Sequence, residues 1–395
     1  MDKAEIERLL AIEGLCTDTQ KTYLEALIEH GSNRKAAAAL GRNRSSLDES
    51  IKILRAKAAR LGYASGHFEY GVAPGYLMGK VTVQRSGDGN VERTWERQSP
   101  DQARMMDVLR AAVRAMADEV APVAPIKMPS ASLANLLGVY TLTDAHIGML
   151  AWHREGGADW DLRIAENTIV GCFAETIRQM PASQHAVLNQ LGDLLHYDGL
   201  SAVTPTSGHI LDADGRFTKM VEVAVRVIRR IVSMLLGKHD RIHLVMAEGN
   251  HDMASSVWLR TLFKALYEME PRITVDDSAL PYYVFEFGNV MQIFHHSHIK
   301  KNDQLPLLVA AQFPEIWGRT KYRYIHTGNL HHRFEKEYSG VSVIQHQTLA
   351  ARDAYAARGG WIANRAMDAI TYHSVFGEVG RVMVTPEMLE EGVEG

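Results

Sequence analysis

Between residues 137 and 252 one pattern occurs three times: an apolar run of strand length ends directly in a short polar motif. Residues 137–142 lead into Asp144-Ala145-His146, residues 185–191 into Gly192-Asp193, and residues 242–247 into Gly249-Asn250-His251-Asp252. Short apolar runs bounded by turn residues read as buried strands. Residues 162–180, 217–236 and 256–269 read as the helices between and after them. Strands alternating with helices commit this part of the chain to an α/β architecture. In open α/β sheets ligand sites gather outside the carboxyl ends of the strands, so the three motifs are expected to converge.

A more strand-rich half follows, with strands over 282–287, 290–294, 322–326 and 341–344. Two further motifs lie there, His295-His296 and Gly328-Asn329-Leu330-His331. Carboxylate, amide and imidazole donors brought together along a chain are what a protein needs to hold paired divalent cations for phosphoryl chemistry. Asp144 and His146 are two apart, so on an extended strand end both side chains face one way and can clamp one ion. Asp193 is placed to bridge two ions, and Asn250 offers an amide oxygen to the second. His251 can face the substrate, with Asp252 fixing its tautomer and orientation. His296 is assigned to the second ion and His331 to the first.

The five motifs, in this order and at these spacings, resemble the calcineurin-like metallophosphoesterase superfamily, whose pattern runs D-x-H, GD, GNH[D/E], a lone His and G-H-x-H. The resemblance covers roughly residues 137 to 395. It implies a four-layer α/β/β/α sandwich and two divalent cations, manganese first, with magnesium, iron, zinc or nickel as alternatives. Gly192-Asp193-Leu194-Leu195-His196 further resembles phage-encoded members and the repair-exonuclease branch, with His196 lining the site. His296 is preferred to His295 or His298 because the Lys-rich stretch ending in Leu305-Pro306 sits at the family-like distance from it. Asn329 departs from the pattern, which has His there as a ligand of the second cation. An amide oxygen is a weaker ligand than imidazole for borderline metals, so the second site should be weakened or favour a harder cation. The implied reaction is attack of a metal-activated water on phosphorus, with His251 assisting the leaving oxygen.

At 395 residues the chain exceeds one typical core, and two domains are the default. Residues 1–66 read as consecutive short helices in a helix-turn-helix arrangement, and 67–130 as a hairpin, a helix over 100–120 and a Pro-rich linker. The phosphoesterase-like domain spans 136–395. A net charge of −4 gives no whole-chain attraction to nucleic acid, so any such attraction is local. It is found between residues 31 and 60, where Arg34, Lys35, Arg42, Arg44, Lys52, Arg55, Lys57 and Arg60 face only Asp48 and Glu49. A compact basic helical module is an electrostatic footprint for phosphate backbones. Arg42 and Arg44 fall where the start of a recognition helix meets a groove, and Lys300 beside the site is placed to meet substrate phosphate.

Two cysteines, Cys16 and Cys172, exclude a disulfide scaffold and fit a reducing cytoplasm, which would be the host's if the chain is phage-encoded. No apolar run is long enough and free enough of charge to read as a membrane span, and a homo-oligomer is compatible with everything above. The expected activity is a metal-dependent phosphodiesterase on nucleic acid, a DNA nuclease first. Hydrolysis of a small phosphoester or nucleotide, or DNA binding on a degenerate catalytic scaffold, stand as alternatives. Other histidines, among them His239, His326 and His346, read as surface or satisfied core residues.

Overall fold

The computed structural model describes all residues except 1–2, 13, 65–67, 70–71, 73–75, 89–90, 102–106, 108–125, 130–131, 206–207 and 391–395. The chain divides into two compact units, residues 1–107 and 108–395. The helix expected over 100–120 and most of the Pro-rich stretch lie outside the described residues.

The first unit begins with helices α1 (Lys3–Ala11), α2 (Asp18–His30), α3 (Asn33–Ala39) and α4 (Arg44–Arg60). Thr17 and Gln20 form a reciprocal capping box that starts α2, and Gly31, at φ +70°, ends it. Asn43 caps α4 by position, with no side-chain hydrogen bond. Leu47, Ile51, Leu54 and Ala58 line one stripe of α4 and pack with Ile6, Leu9, Leu24 and Leu27 into a small core. A short pair, β1 (Tyr63–Ala64) and β2 (Phe68–Glu69), leads to an antiparallel hairpin of β3 (Tyr76–Arg85) and β4 (Val91–Pro100).

The second unit is a four-layer α/β/β/α sandwich. Its strands and principal helices run β5 (Leu133–Leu142), α5 (Leu162–Gln179), β6 (Ser183–Gln190), α6 (Phe217–Leu236), β7 (Arg241–Met246), α7 (Met253–Leu266) and β8 (Ile273–Val275). There follow β9 (Tyr283–Phe287), β10 (Val290–Phe294), α8 (Leu305–Gln312), β11 (Tyr322–Thr327), β12 (Phe334–Tyr338), β13 (Val341–Gln345), β14 (Met367–His373) and β15 (Gly377–Val384). One sheet has the order β15-β14-β5-β6-β7-β8 and the other β12-β13-β11-β10-β9. Strands β5 to β8 are parallel, as are β10, β11 and β13 among themselves.

Parity along the strands explains the layers. On β5, Tyr140 and Leu142 face α5, α6 and α7, whereas Leu137 and Val139 face the other sheet. On β10, Val290 and Phe294 meet that inter-sheet layer, while Met291 and Ile293 pack on Leu305 and Val309 of α8. Both faces are covered, which is why β10 is buried at every position and is apolar but for Gln292, whose side chain bonds His326. Helix α6 buries twelve side chains, and its outer Arg226 and Arg230 pair with Glu166 of α5 at 2.7 and 3.4 Å. No helix among the described residues is long and apolar enough to cross a membrane.

Candidate metal centre

All five motifs sit at the carboxyl ends of strands: Asp144 and His146 after β5, Asp193 after β6, Asn250 to Asp252 after β7, His296 after β10, and Asn329 and His331 after β11. Among the described residues, the non-glycine residues with positive φ are Asp144, His146, Asp193, Ser297, Asn329 and His331. Every one lies in these loops. A left-handed conformation costs an L-residue about 1–2 kcal/mol, and strain of this kind persists only where the surroundings over-determine it. The glycines serve close approach. A Cβ on Gly192, whose φ is +100°, would stand 2.5 Å from Nδ1 of His296, and one on Gly249 would overlap the Asp193 carboxylate.

The donors meet in three groups whose ligand atoms lie within 4.8 Å of one another: Asp144, His146 and His331; Asp144, Asp193 and His296; and His146, His196 and His251. Asp144 is therefore the carboxylate common to two groups, while Asp193, expected to bridge two ions, falls in one of them. Oδ2 of Asp144 is satisfied by Oγ1 of Thr143 at 2.6 Å and the main-chain N–H of Asn329 at 2.9 Å. Its Oδ1 is buried, without a hydrogen bond, and 3.1 Å from Nε2 of His331. Nδ1 of His296 faces the Leu191 carbonyl at 2.8 Å, so that nitrogen carries the proton. Nε2 of the neutral ring then turns its lone pair on Oδ2 of Asp193 at 3.2 Å. Two lone pairs do not share that space; a proton or a cation belongs between them. The amide oxygen of Asn250 is likewise buried and unpartnered. Hard and borderline donors presented this way fit divalent cations.

The electrostatics agree. Burial alone would raise the Asp144 carboxyl, but His331 and His296 outweigh it and hold it down at about 2. The same contest, dominated by His296, pulls Asp193 below the usual carboxylate range. Burial opposes the proton on His296, yet Asp193 and Asp144 push its pKa well above the ordinary value. His146 and His196 are lowered by burial and by neighbouring imidazoles, His196 to about 3, so both stay neutral and keep a free lone pair.

His251 is held differently from the sequence expectation. Its Nδ1 donates to the main-chain carbonyl of His196 at 2.7 Å, and that bond fixes the ring. Asp252 does not touch the ring: it accepts from the main-chain N–H groups of Asp193, Leu194, Leu195 and Gly249 at 2.7 to 3.2 Å. A carboxylate three positions from the glycine that opens a tight turn is better placed to collect backbone donors than to reach its neighbour's ring. Burial and the Asp193 charge push Asp252 up to about 7, against the pull of these donors. His196 is brought into the centre, 3.4 Å from Nδ1 of His146 and stacked on His251. His295 turns away, its Nδ1 on the Pro281 carbonyl at 2.7 Å.

Lys300 is half-buried in the loop after β10, and its carbonyl accepts from Oγ of Ser297. Arg42 and Arg44 belong to the first unit. There Arg44 pairs with Asp48 at 3.2 Å, Lys52 with Glu49 at 3.6 Å and Arg55 with Glu5 at 2.6 Å. Lys57 donates to the carbonyls of Gly14 and Leu15. Asp198, which from sequence could either line the site or serve as a structural hydrogen-bonding residue, does the second: its carboxylate accepts from the N–H groups of Ala254 and Ser255 and so fixes the start of α7 behind the His251 loop. Glu248 and His298, beside His296, were not assigned. Their signal was present, one carboxylate directly before Gly249-Asn250 and one imidazole two residues after His296.

No family model matches the sequence, and no curated relative matches it. Solved structures do. An archaeal phosphodiesterase is 12% identical, covering 62% of this chain and 99% of its own, with a TM-score of 0.33. A conserved Streptococcus pneumoniae protein described as a predicted phosphoesterase is 11% identical, over 65% of this chain and 92% of its own, with a TM-score of 0.29. Zinc-complexed Vps29 from Entamoeba histolytica is 14% identical, over 63% of this chain and 99% of its own, with a TM-score of 0.26. At that distance the role of each residue rests on the geometry of this site itself.

Proposed function

We propose that the second unit is a two-metal phosphodiesterase of the calcineurin-like class and that its substrate is nucleic acid, DNA in the first place. The observation that carries the reading is the set of buried, unpartnered donor atoms: Oδ1 of Asp144 and Nε2 of His296 lie 3.9 Å apart, and Oδ1 of Asn250, in the loop after β7, is likewise buried and unmet. Leaving buried polar groups unmet costs about 1–3 kcal/mol each, and a cation pair removes that cost.

Asp144, His146 and His331 hold the first cation, and Asp193, Asn250 and His296 the second, with Asn329 at the edge of that set. Bound there, divalent cations supply Lewis acidity toward the phosphoryl oxygens and an acidified water. Manganese suits the donor set best, since carboxylate and amide oxygens outweigh the imidazoles on the second side. The chain's own part is positional. His251 is locked through Nδ1 to the His196 carbonyl, which leaves Nε2 as the nitrogen that can carry a second proton. As imidazolium it gives that proton to the leaving oxygen, and His196 stacked on its face holds the ring plane.

DNA is supported by the basic character of α3 and α4. Arg34, Lys35, Arg42 and Arg60 belong to that module, and no side-chain partner is seen for them among the described residues. The experiment is cleavage of labelled single- and double-stranded DNA with Mn²⁺ by the full chain, by Asn329→His and by His251→Ala. Cleavage that Asn329→His strengthens and His251→Ala abolishes is the expected result. Turnover of a small nucleotide diester without cleavage of any DNA would replace the substrate assignment, and no turnover of either would remove the activity.

A further inference from the structure

We propose that His298, backed by Glu248, is a ligand of the second cation and supplies the imidazole that Asn329 lacks; the inference rests on the two-cation reading above. On that side the firm donors are Asp193, His296 and Asn250. Asn329 engages the centre through its main-chain N–H, which donates to Asp144, while its left-handed backbone sets the loop. The imidazole expected there has no counterpart at position 329.

His298 offers one from the neighbouring loop. Its side chain is only 9% exposed, yet neither Nδ1 nor Nε2 has a hydrogen-bond partner. A buried imidazole with both nitrogens unmet is an unstable arrangement unless something binds it. Its position is built. Ser297 adopts φ +80°, and its hydroxyl donates to the Lys300 carbonyl and to Oδ1 of Asn302, each at 2.9 Å. Asn302 in turn donates to Gln345 at the end of β13. This strained turn places the His298 ring 5.4 Å from that of His296, centroid to centroid. His298 lies outside the three close donor groups and beside His296, which belongs to one of them.

Glu248 completes the case. It directly precedes Gly249-Asn250, and its carboxylate lies 3.8 Å from Nε2 of His298. A carboxylate beside one ring nitrogen favours the tautomer with the N–H on that side and so leaves the lone pair of the other nitrogen for a metal, the usual arrangement behind a ligating histidine. His295 also keeps an unpartnered Nε2, but its Nδ1 is held on the Pro281 carbonyl, its ring packs on Tyr282, and no carboxylate is seen against it among the described residues, so it is the weaker candidate.

The test is Mn²⁺ binding by the metal-stripped full chain, read by titration calorimetry and by bound metal per chain. The unsubstituted chain should hold two ions. His298→Ala should keep the tighter one and weaken the second by about tenfold or more, with Glu248→Gln showing a smaller loss in the same direction. Asn329→His on the His298→Ala background should restore the second ion. Should His298→Ala fold poorly, His298→Gln, which keeps a polar side chain of similar reach, takes its place. Two ions held equally well after loss of His298 would overturn the inference and leave the proposed function standing. A single ion in the unsubstituted chain would overturn the inference and the two-cation reading together. Two ions without phosphodiester cleavage would instead remove the activity and leave the ligand assignment intact.

Discussion

The two sheets of the second unit build the same centre by different means. The six-stranded sheet delivers both carboxylates, the amide and the imidazoles of His146, His196 and His251 from the loops after three adjacent parallel strands. Its loops are tied to one another: Asp252 gathers four main-chain N–H groups from the β6 and β7 loops, and Asp198 of the β6 loop binds the first turn of α7. The five-stranded sheet delivers imidazoles from β10 and β11, with looser support. His331 remains 39% exposed at its side chain, and Leu330 beside it is exposed. One sheet supplies the carboxylates from loops tied to one another, and the other supplies imidazoles, of which His296 is buried and His331 stands at an open edge. A departure such as Asn329 is tolerable on the second sheet, where a neighbouring loop can substitute, and would not be on the first.

The contrast can be broken most sharply through activity. Asp193→Ala, on the rigid side, should abolish Mn²⁺-dependent cleavage and lower metal content. His251→Ala should keep the metals and lose about 10²- to 10⁴-fold in rate, the span of a general acid. Steady-state cleavage assays with bound metal measured in parallel decide it. If Asp193→Ala keeps wild-type turnover, the first sheet holds no catalytic cation.

Next in size is stability. Asp252→Ala removes the acceptor for four main-chain donors in a dry loop, at about 1–3 kcal/mol for each one left unmet. Partial relaxation makes a total loss of about 3 kcal/mol or more the expected outcome in denaturant unfolding. His331→Ala, at the half-exposed edge, should cost under about 1 kcal/mol in the metal-free chain. Equal losses for the two would end the distinction between tied loops and an open edge.

The same asymmetry decided how much could be read from sequence. Strands β5, β6 and β7 announce themselves because both faces are buried and each ends in Gly-Asp, Gly-Asn or Asp-x-His, and α6 was readable over its whole length. Helix α7 begins at Met253, three residues before the expected start, because Asp198, distant in sequence, supplies its first hydrogen bonds. Strands β14 and β15 were not read at all. Strand β14 pairs antiparallel with β5, setting Tyr372 opposite Leu137, and no local signal carries a partnership across that separation. The tie between Asp252 and four backbone groups was hidden for the same reason. His326 and His346, read as surface or satisfied core, are core: His326 bonds Gln292 and His346 at 2.8 Å inside the inter-sheet layer.

A smaller effect is expected from pH. His296 is raised above its ordinary 6.5, against burial, by Asp193 and Asp144. That pairing stabilises the metal-free chain fully below pH 6.5 and is lost as the pH rises through the elevated value. Asp144, lowered from 3.8 to about 2, contributes above pH 3.8 and loses its contribution as the pH falls through 2. With chelator present, Tm should therefore fall by a few degrees, roughly 2–4 °C per kcal/mol lost, between pH 6.5 and 9. Saturating Mn²⁺ should flatten that slope, since a cation takes the place of the proton. A chelated chain whose Tm is level across that range would mean His296 is neutral there, and that no proton joins the two sheets.

The smallest expected effect belongs to the first unit, which supplies the DNA argument and shares none of the strain of the metal centre: its positive-φ residues among those described are all glycines. Arg42→Ala should weaken DNA binding about equally across sequences and lower the slope of log K against log salt by about 1. Arg44→Ala should do less, because Asp48 already engages its guanidinium at 3.2 Å. Fluorescence anisotropy over a salt series separates the two. A larger loss from Arg44 than from Arg42 would mean that the Asp48 pair opens on the DNA and that Arg44, at the start of α4, makes the closer phosphate contact. An unchanged slope for both would take the helices out of substrate binding and leave Lys300, beside the cation ligands, as the basic residue nearest the phosphate.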